Sequence, residues 1–123
     1  MKKSFNYVDG FVLPIPKKNI SAYKKMATLA AKVWRDHGAI DYVECIADDV
    51  SKGKVTSFPR SVKLKKNEVV FFSWITYKSR AHRDQVMKKV MSDPRLAKYM
   101  DPKKMPFDGK RMFWGGFKPV VKF

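Results

Sequence analysis

The sequence predicts an α+β fold of the ferredoxin-like type, with βαββαβ order and one antiparallel four-stranded sheet. Three observations lead there. Two segments repeat apolar residues every three or four positions, as amphipathic helices do, and four others are rich in β-branched and aromatic residues. These segments alternate along 123 residues, a length that suits one domain, 1–123. The stretch "EVVFFSWITY" is apolar on both alternating sets, which marks a strand buried on both faces.

"FNYVDGFVL", Phe5 to Leu13, reads as the first strand, ended by "PIPKK". From about Lys17 to His37 the residues Ile20, Tyr23, Met26, Ala27, Ala30, Val33 and Trp34 form one apolar stripe, and Gly38 stands where a helix C-terminal cap belongs. "AIDYVECIA", Ala39 to Ala47, is the second strand. Asp48 to Asn67 is polar, carries Gly53 and Pro59, and reads as a long hairpin arm with short strands around Val55 and Val62. Glu68 to Tyr77 is the third strand. Ser79 caps a second helix, with Ala81, Val86, Met87, Val90 and Met91 on its buried side. Asp93 and Pro94 start a further short helix as N-cap and first helical position. Asp108-Gly109 is a tight turn, and Lys110 to Phe117 is the final strand.

Both helices lie on one face of such a sheet, and the third strand's composition makes the other face apolar as well. A second copy of the sheet is the expected cover, so a homodimer is predicted.

The chain carries 27 Lys plus Arg against 11 Asp plus Glu, a formal +16. It will attract nucleic acid non-specifically whatever its task. The basic residues occur in every segment, however, whereas a dedicated nucleic-acid site concentrates them on one face. No apolar run approaches the roughly 18 residues that span a bilayer. The start "MKKSFNYVDG" lacks an uninterrupted apolar segment, so no secretory signal is read and a cytoplasmic protein without membrane association is expected. Two histidines and one cysteine in different elements do not form a metal-ligand set, so neither metal nor other cofactor is expected. Cys45 reads as a small buried hydrophobe.

Candidate chemistry rests on a few residues. Asp9 and Glu44 interrupt apolar strands, and burying an ion costs several kcal/mol unless it is paired. Arg111, Lys110 and Arg83 are the candidate partners. The pair reads either as structural salt bridges or as carboxylates of raised pKa acting as general bases. His37 at the end of the first helix is favoured there by the helix dipole, with proton transfer as the rival role. Tyr7, Trp74, Arg111 and Trp114 are candidate ligand-binding residues. Gly115 and Gly116 either let a helix or partner subunit pack closely, or leave space for a ligand. An RNA-binding module shares the βαββαβ order and is the rival function, but "VVFFSWITY" lacks the Lys/Arg-Gly-Phe start of the usual RNA-binding strand.

With these elements laid out, the chain resembles a bacterial family of uncharacterised proteins, domain of unknown function 1428, also called YbaA-like. The stretches that carry the resemblance are "YVDGFV" from Tyr7, "VEC" at Val43, "DDV" at Asp48, "GKVTSF" from Gly53, "VVFFSWITY" from Val69, "RD" at Arg83, "MSDPR" from Met91 and "MPFDGKRMFWGGF" from Met105. The resemblance implies a dimeric α+β barrel. The wider superfamily includes cofactor-free monooxygenases, haem-degrading enzymes and ligand-binding or regulatory modules. The expected function is therefore binding or cofactor-independent oxidation of a small organic molecule between sheet and helices, with a purely structural or regulatory dimer as a further alternative. Haem-degrading relatives draw an Asn, a Trp and a His from corresponding elements, for which Asn6, Trp74 and His82 are the candidates; His82 otherwise reads as solvent-facing. The chain departs from the family pattern in its high positive charge and in Ser51, which stands where Pro is usual after "DDV".

Overall fold

In the computed structural model, which describes residues 4–123, the predicted order of elements is present. Strand β1 spans Tyr7–Pro16, helix α1 Ile20–Asp36 and β2 Asp41–Ile46. A one-turn helix α2 follows at Phe58–Ser61, then β3 at Glu68–Tyr77, α3 at Arg80–Met91 and β4 at Phe113–Phe117. The sheet runs β2-β3-β1-β4, and the β1–β3, β1–β4 and β2–β3 pairings are all antiparallel. This is the α+β ferredoxin-like arrangement. The leading Met1 to Lys3, including the two lysines of the opening stretch, lies outside the described residues.

Strand parity decides which face each side chain occupies. Tyr7, Phe11, Leu13 and Ile15 of β1 share the layer under the helices with Phe71, Ile75 and Tyr77 of β3. There they meet Tyr23, Ala27, Ala30 and Val33 of α1 and Val86 and Val90 of α3. The α1 stripe is thus buried as its spacing requires. In α3 only Val86 and Val90 are buried; Ala81 and Met91 are exposed, so its apolar side is narrower than the sequence suggests.

The start signals act as read. Ser79 Oγ accepts from the His82 N–H at 3.1 Å, and Asp93 Oδ1 accepts from the Arg95 N–H at 2.9 Å. The element that Asp93 and Pro94 open is a 3-10 stretch, Pro94–Met100. Gly38 takes φ +109° directly after α1, a conformation in which a side chain is strained.

Two segments differ from expectation. Asp48 to Asn67 forms no hairpin arm and no strands. It folds back over one end of the uncovered sheet face, because Val62 buries itself against Val12 and Val70 there. Ser57 caps the single turn α2, and Val55 is 92% exposed. The last strand starts at Phe113 rather than Lys110, because Asp108 Oδ1 accepts from the Lys110 N–H at 3.1 Å and holds Gly109–Arg111 as a 3-10 turn.

The remaining uncovered face carries Phe72, Trp74, Phe113 and Phe117, with Phe58 edge-on to Phe72. Phe72, Phe113 and Phe117 are exposed. Thus β3 is not buried on both faces within one chain. Cys45 pairs across with Phe72 on this same face and is half-buried, not enclosed in the core.

Candidate functional site

The layer between sheet and helices contains two carboxylates, each with its own set of partners. Asp9 is fully buried on β1, directly opposite Ile75 and Gly116. Arg83 reaches it from the first turn of α3, donating from Nη1 to Asp9 Oδ1 at 2.7 Å. Nε of the same guanidinium donates to Asp84 at 2.8 Å. The guanidinium carbon stands 5.1 Å from the Tyr7 ring centre and 5.8 Å from that of Trp114. Trp114 in turn stacks on Phe11 at 5.9 Å and is half exposed. The arrangement is a cation between two aromatic faces, reaching from a buried acid to the surface.

Tyr77 accepts from Trp34 Nε1 at 3.1 Å, and its hydroxyl faces Asp9 without reaching hydrogen-bond geometry. Asp9 Oδ2 therefore has no hydrogen-bond partner among the described residues. Burial raises the Asp9 pKa above the ordinary carboxylate value, and the pull of Arg83 and Tyr77 does not fully offset it. Burial and the neighbouring Asp9 charge likewise raise the Tyr77 pKa, so that phenol stays protonated.

Glu44 lies across the sheet on β2, beyond β3, and is held by phenols. Tyr23 of α1 donates to Oε1 at 2.8 Å and Tyr42 donates to Oε2 at 2.9 Å. Burial raises the Glu44 pKa as well, against the opposing effect of Tyr23, Tyr42 and Ser73. The two carboxylates stand two strand spacings apart, roughly 10 Å, so they do not act on one atom. Trp34 bridges the two sets, contacting Tyr42 at 5.7 Å as well as Tyr77.

Of the sequence candidates, the fold brings together Tyr7, Asp9 and Trp114, joined by Arg83. It sets Trp74 on the opposite face of the sheet. Arg111 belongs to neither carboxylate: it binds Glu68 bidentately at 2.8 and 2.6 Å and Asp108 at 3.0 Å, at the far end of the sheet. Its guanidinium is committed to holding the chain there. His37 is also elsewhere, its Nε2 2.8 Å from Asp93 Oδ2 in a cluster with Arg95 and Asp36. That cluster clasps the end of α1 to the 3-10 stretch. Glu44 has phenolic partners and no cation.

The haem-type set does not assemble. Asn6 accepts from Lys122, and Trp74 and His82 lie on opposite sides of the sheet. His82 is half-buried; its Nδ1 accepts from the Lys78 N–H at 3.0 Å and its ring sits edge-on to Tyr77. At Gly116 a Cβ would collide with the Tyr7 ring, so its lack of a side chain makes room for Tyr7. Sequence reasoning missed Tyr23, Tyr42, Tyr77 and Trp34. The alternation that puts Tyr42 with Glu44, and Tyr77 opposite Tyr7, was the available signal.

Among the described residues no helix is long and apolar enough to cross a membrane, and no three His, Cys, Asp or Glu side chains cluster as metal ligands.

A family model described as a protein of unknown function, DUF1428, matches residues 6–109. The chain belongs to the DUF1428 family. Two DUF1428-type relatives are the uncharacterised YbaA proteins of Escherichia coli K12 and of Shigella flexneri. Each is 49% identical over 115 residues, 94% of this chain and 97% of theirs. Among solved structures, the fold of this DUF1428 protein is similar to a dimeric ferredoxin-like protein from an uncultured marine organism. That likeness has TM-score 0.58 and 11% identity, and covers 98% of this chain and 92% of the other. It is also similar to a NIPSNAP family protein of unknown function from Agrobacterium tumefaciens, with TM-score 0.53 and 15% identity over 94% of this chain and 88% of the other. Both likenesses concern the fold.

Proposed function

We propose that this protein is a cytoplasmic homodimer that binds a small planar organic molecule at the Arg83–Trp114 stack. One observation carries the ligand reading: a fully buried acid, Asp9, holds a cation–aromatic stack whose outer ring is half exposed, while its second oxygen has no hydrogen-bond partner among the described residues. Buried polar atoms are almost always hydrogen-bonded, and an exception calls for a physical reason, a catalytic role among them. Trp114 offers the ligand a stacking face. Arg83 supplies a directional cation held by Asp9 and Asp84, and Asp9 is the group placed to hold or exchange a proton. Dimerisation is supported by the exposed aromatics Phe72, Phe113 and Phe117 on the uncovered face, and by the similarly folded marine protein described as dimeric.

The test is twofold. Light scattering at low and high salt is expected to give about twice the 14.3 kDa chain mass. Small aromatic acids and phenols, screened by the indole N–H signals of the tryptophans, are expected to shift Trp114. Affinity for the same compounds by isothermal titration should be lost in Trp114→Ala while the mass is unchanged. A monomer refutes the dimer, and fragments that shift only Trp74 refute the site.

The second reading is RNA binding through the uncovered face, favoured by its exposed aromatics and the +16 charge. A face closed in a dimer cannot stack bases, so a salt-stable dimer removes this reading.

A further inference from the structure

We propose that the groove beside α2 binds the polyphosphate group of a small anionic ligand. The groove is an open space of about 650 Å³ between α2 and the turn that leads into β3, and Lys52, Arg60, Lys63, Lys65 and Lys66 line it. Glu68 is the one acid among the described lining residues, and both of its oxygens are taken by Arg111. Arg111 also takes Asp108. Glu68 and Asp108 are thus both held by a cation outside the groove, and the lining carries five cations against one acid. An anion suits that excess of positive charge.

Two local details show that the cations are placed. Arg60 donates from Nε to the Lys52 carbonyl at 3.0 Å and from Nη2 to the Gly53 carbonyl at 3.0 Å. Its guanidinium is thus oriented by neutral acceptors and keeps its charge for a ligand. Lys63 takes φ +50°, a conformation that residues with a Cβ rarely adopt. It is held there while its carbonyl and that of Val62 accept from Arg111 at 3.2 and 3.3 Å. The conformation closes α2: the Lys63 N–H donates to the Arg60 carbonyl at 3.2 Å and the Leu64 N–H to the Pro59 carbonyl at 3.0 Å, the bond pair of a helix C-terminal cap.

The chemistry of the occupant follows from the lining. A planar guanidinium with several ammonium groups suits oxygen-rich polyanions. The volume falls in the range of small-ligand sites, about 300–1,000 Å³. No aromatic side chain lines the groove, so nothing there stacks a nucleobase. Recognition rests on the phosphates alone.

The experiment is isothermal titration with inorganic triphosphate, ATP and a short oligouridylate at about 50 and about 200 mM salt. Two variants are compared: the groove triple Lys52→Gln, Lys63→Gln, Lys66→Gln, and a control triple of equal charge, Lys24→Gln, Lys88→Gln, Lys89→Gln. The expected result is one triphosphate per chain, weakened about tenfold or more in the groove triple and less than about twofold in the control. ATP is expected to match inorganic triphosphate. Equal weakening in both triples, or no saturable binding at the lower salt, overturns the proposal. ATP binding far tighter than triphosphate overturns recognition by phosphate alone. Oligouridylate binding tighter than triphosphate, with the same lysine dependence, overturns the small-ligand occupant in favour of a nucleic-acid backbone.

Discussion

Asp9 and Glu44 lie on the same face of the same sheet, and burial raises the pKa of both, yet the two are held in opposite ways. Asp9 faces a guanidinium whose side chain is itself only 11% exposed, so each charge exists inside the protein because of the other. Glu44 faces two hydroxyls and no cation. A phenol stabilises a carboxylate by hydrogen bonding but accepts a neutral amide or acid nearly as well. The comparison separates a site where charge is required from one where only hydrogen-bonding shape is.

The largest test of that difference is Arg83→Met. It leaves Asp9 buried and unpaired, and urea denaturation is expected to show a loss of about 3–5 kcal/mol. Asp9→Asn added to it should restore part of the loss, since the double variant leaves no orphan charge. The next effect is Tyr23→Phe, which deletes one of two donors to Glu44 and is expected to cost about 1.5–3 kcal/mol in the same measurement.

Glu44→Gln should be the mildest change, within about 1 kcal/mol of wild type. Its pH dependence has a definite sign. Folding raises the proton affinity of Glu44, so its contribution to stability is full below the ordinary value of 4.5 and is lost as pH rises through the higher folded value. Gln does not titrate, so the variant should gain on wild type as pH rises above 4.5 through the raised folded value. A Glu44→Gln loss as large as that of Arg83→Met would erase the distinction.

The layout of strands and helices was legible because periodicity and stop signals report local geometry: the α1 stripe, the Ser79 and Asp93 caps and Gly38 all act as their positions imply. The site was legible only in part. Asp9 stands out as an acid in an apolar strand, and Arg83 was one of three candidate partners. The choice between Arg83 and Arg111 depends on register and on the direction of α3, which sequence spacing does not report. Arg111 is drawn away by Glu68 and Asp108, residues near it only in space or across a turn. The segment from Asp48 to Asn67 reads as a hairpin arm because its buried anchor, Val62, looks like any isolated apolar residue in a polar stretch. The basic groove was hidden for the same reason. Its five cations lie among many others in sequence, and only the fold-back sets them around one space.

Cys45, half-buried beside Phe72 on the uncovered face, turns that face into something that can be timed. Its thiol is the only one in the chain, so alkylation by a maleimide dye reads a single position with no engineering. Association through this face should slow labelling as protein concentration rises, and the concentration at half-protection would measure the affinity of one copy for another. Labelling that keeps the same rate at every concentration would mean the aromatic face stays open to solvent.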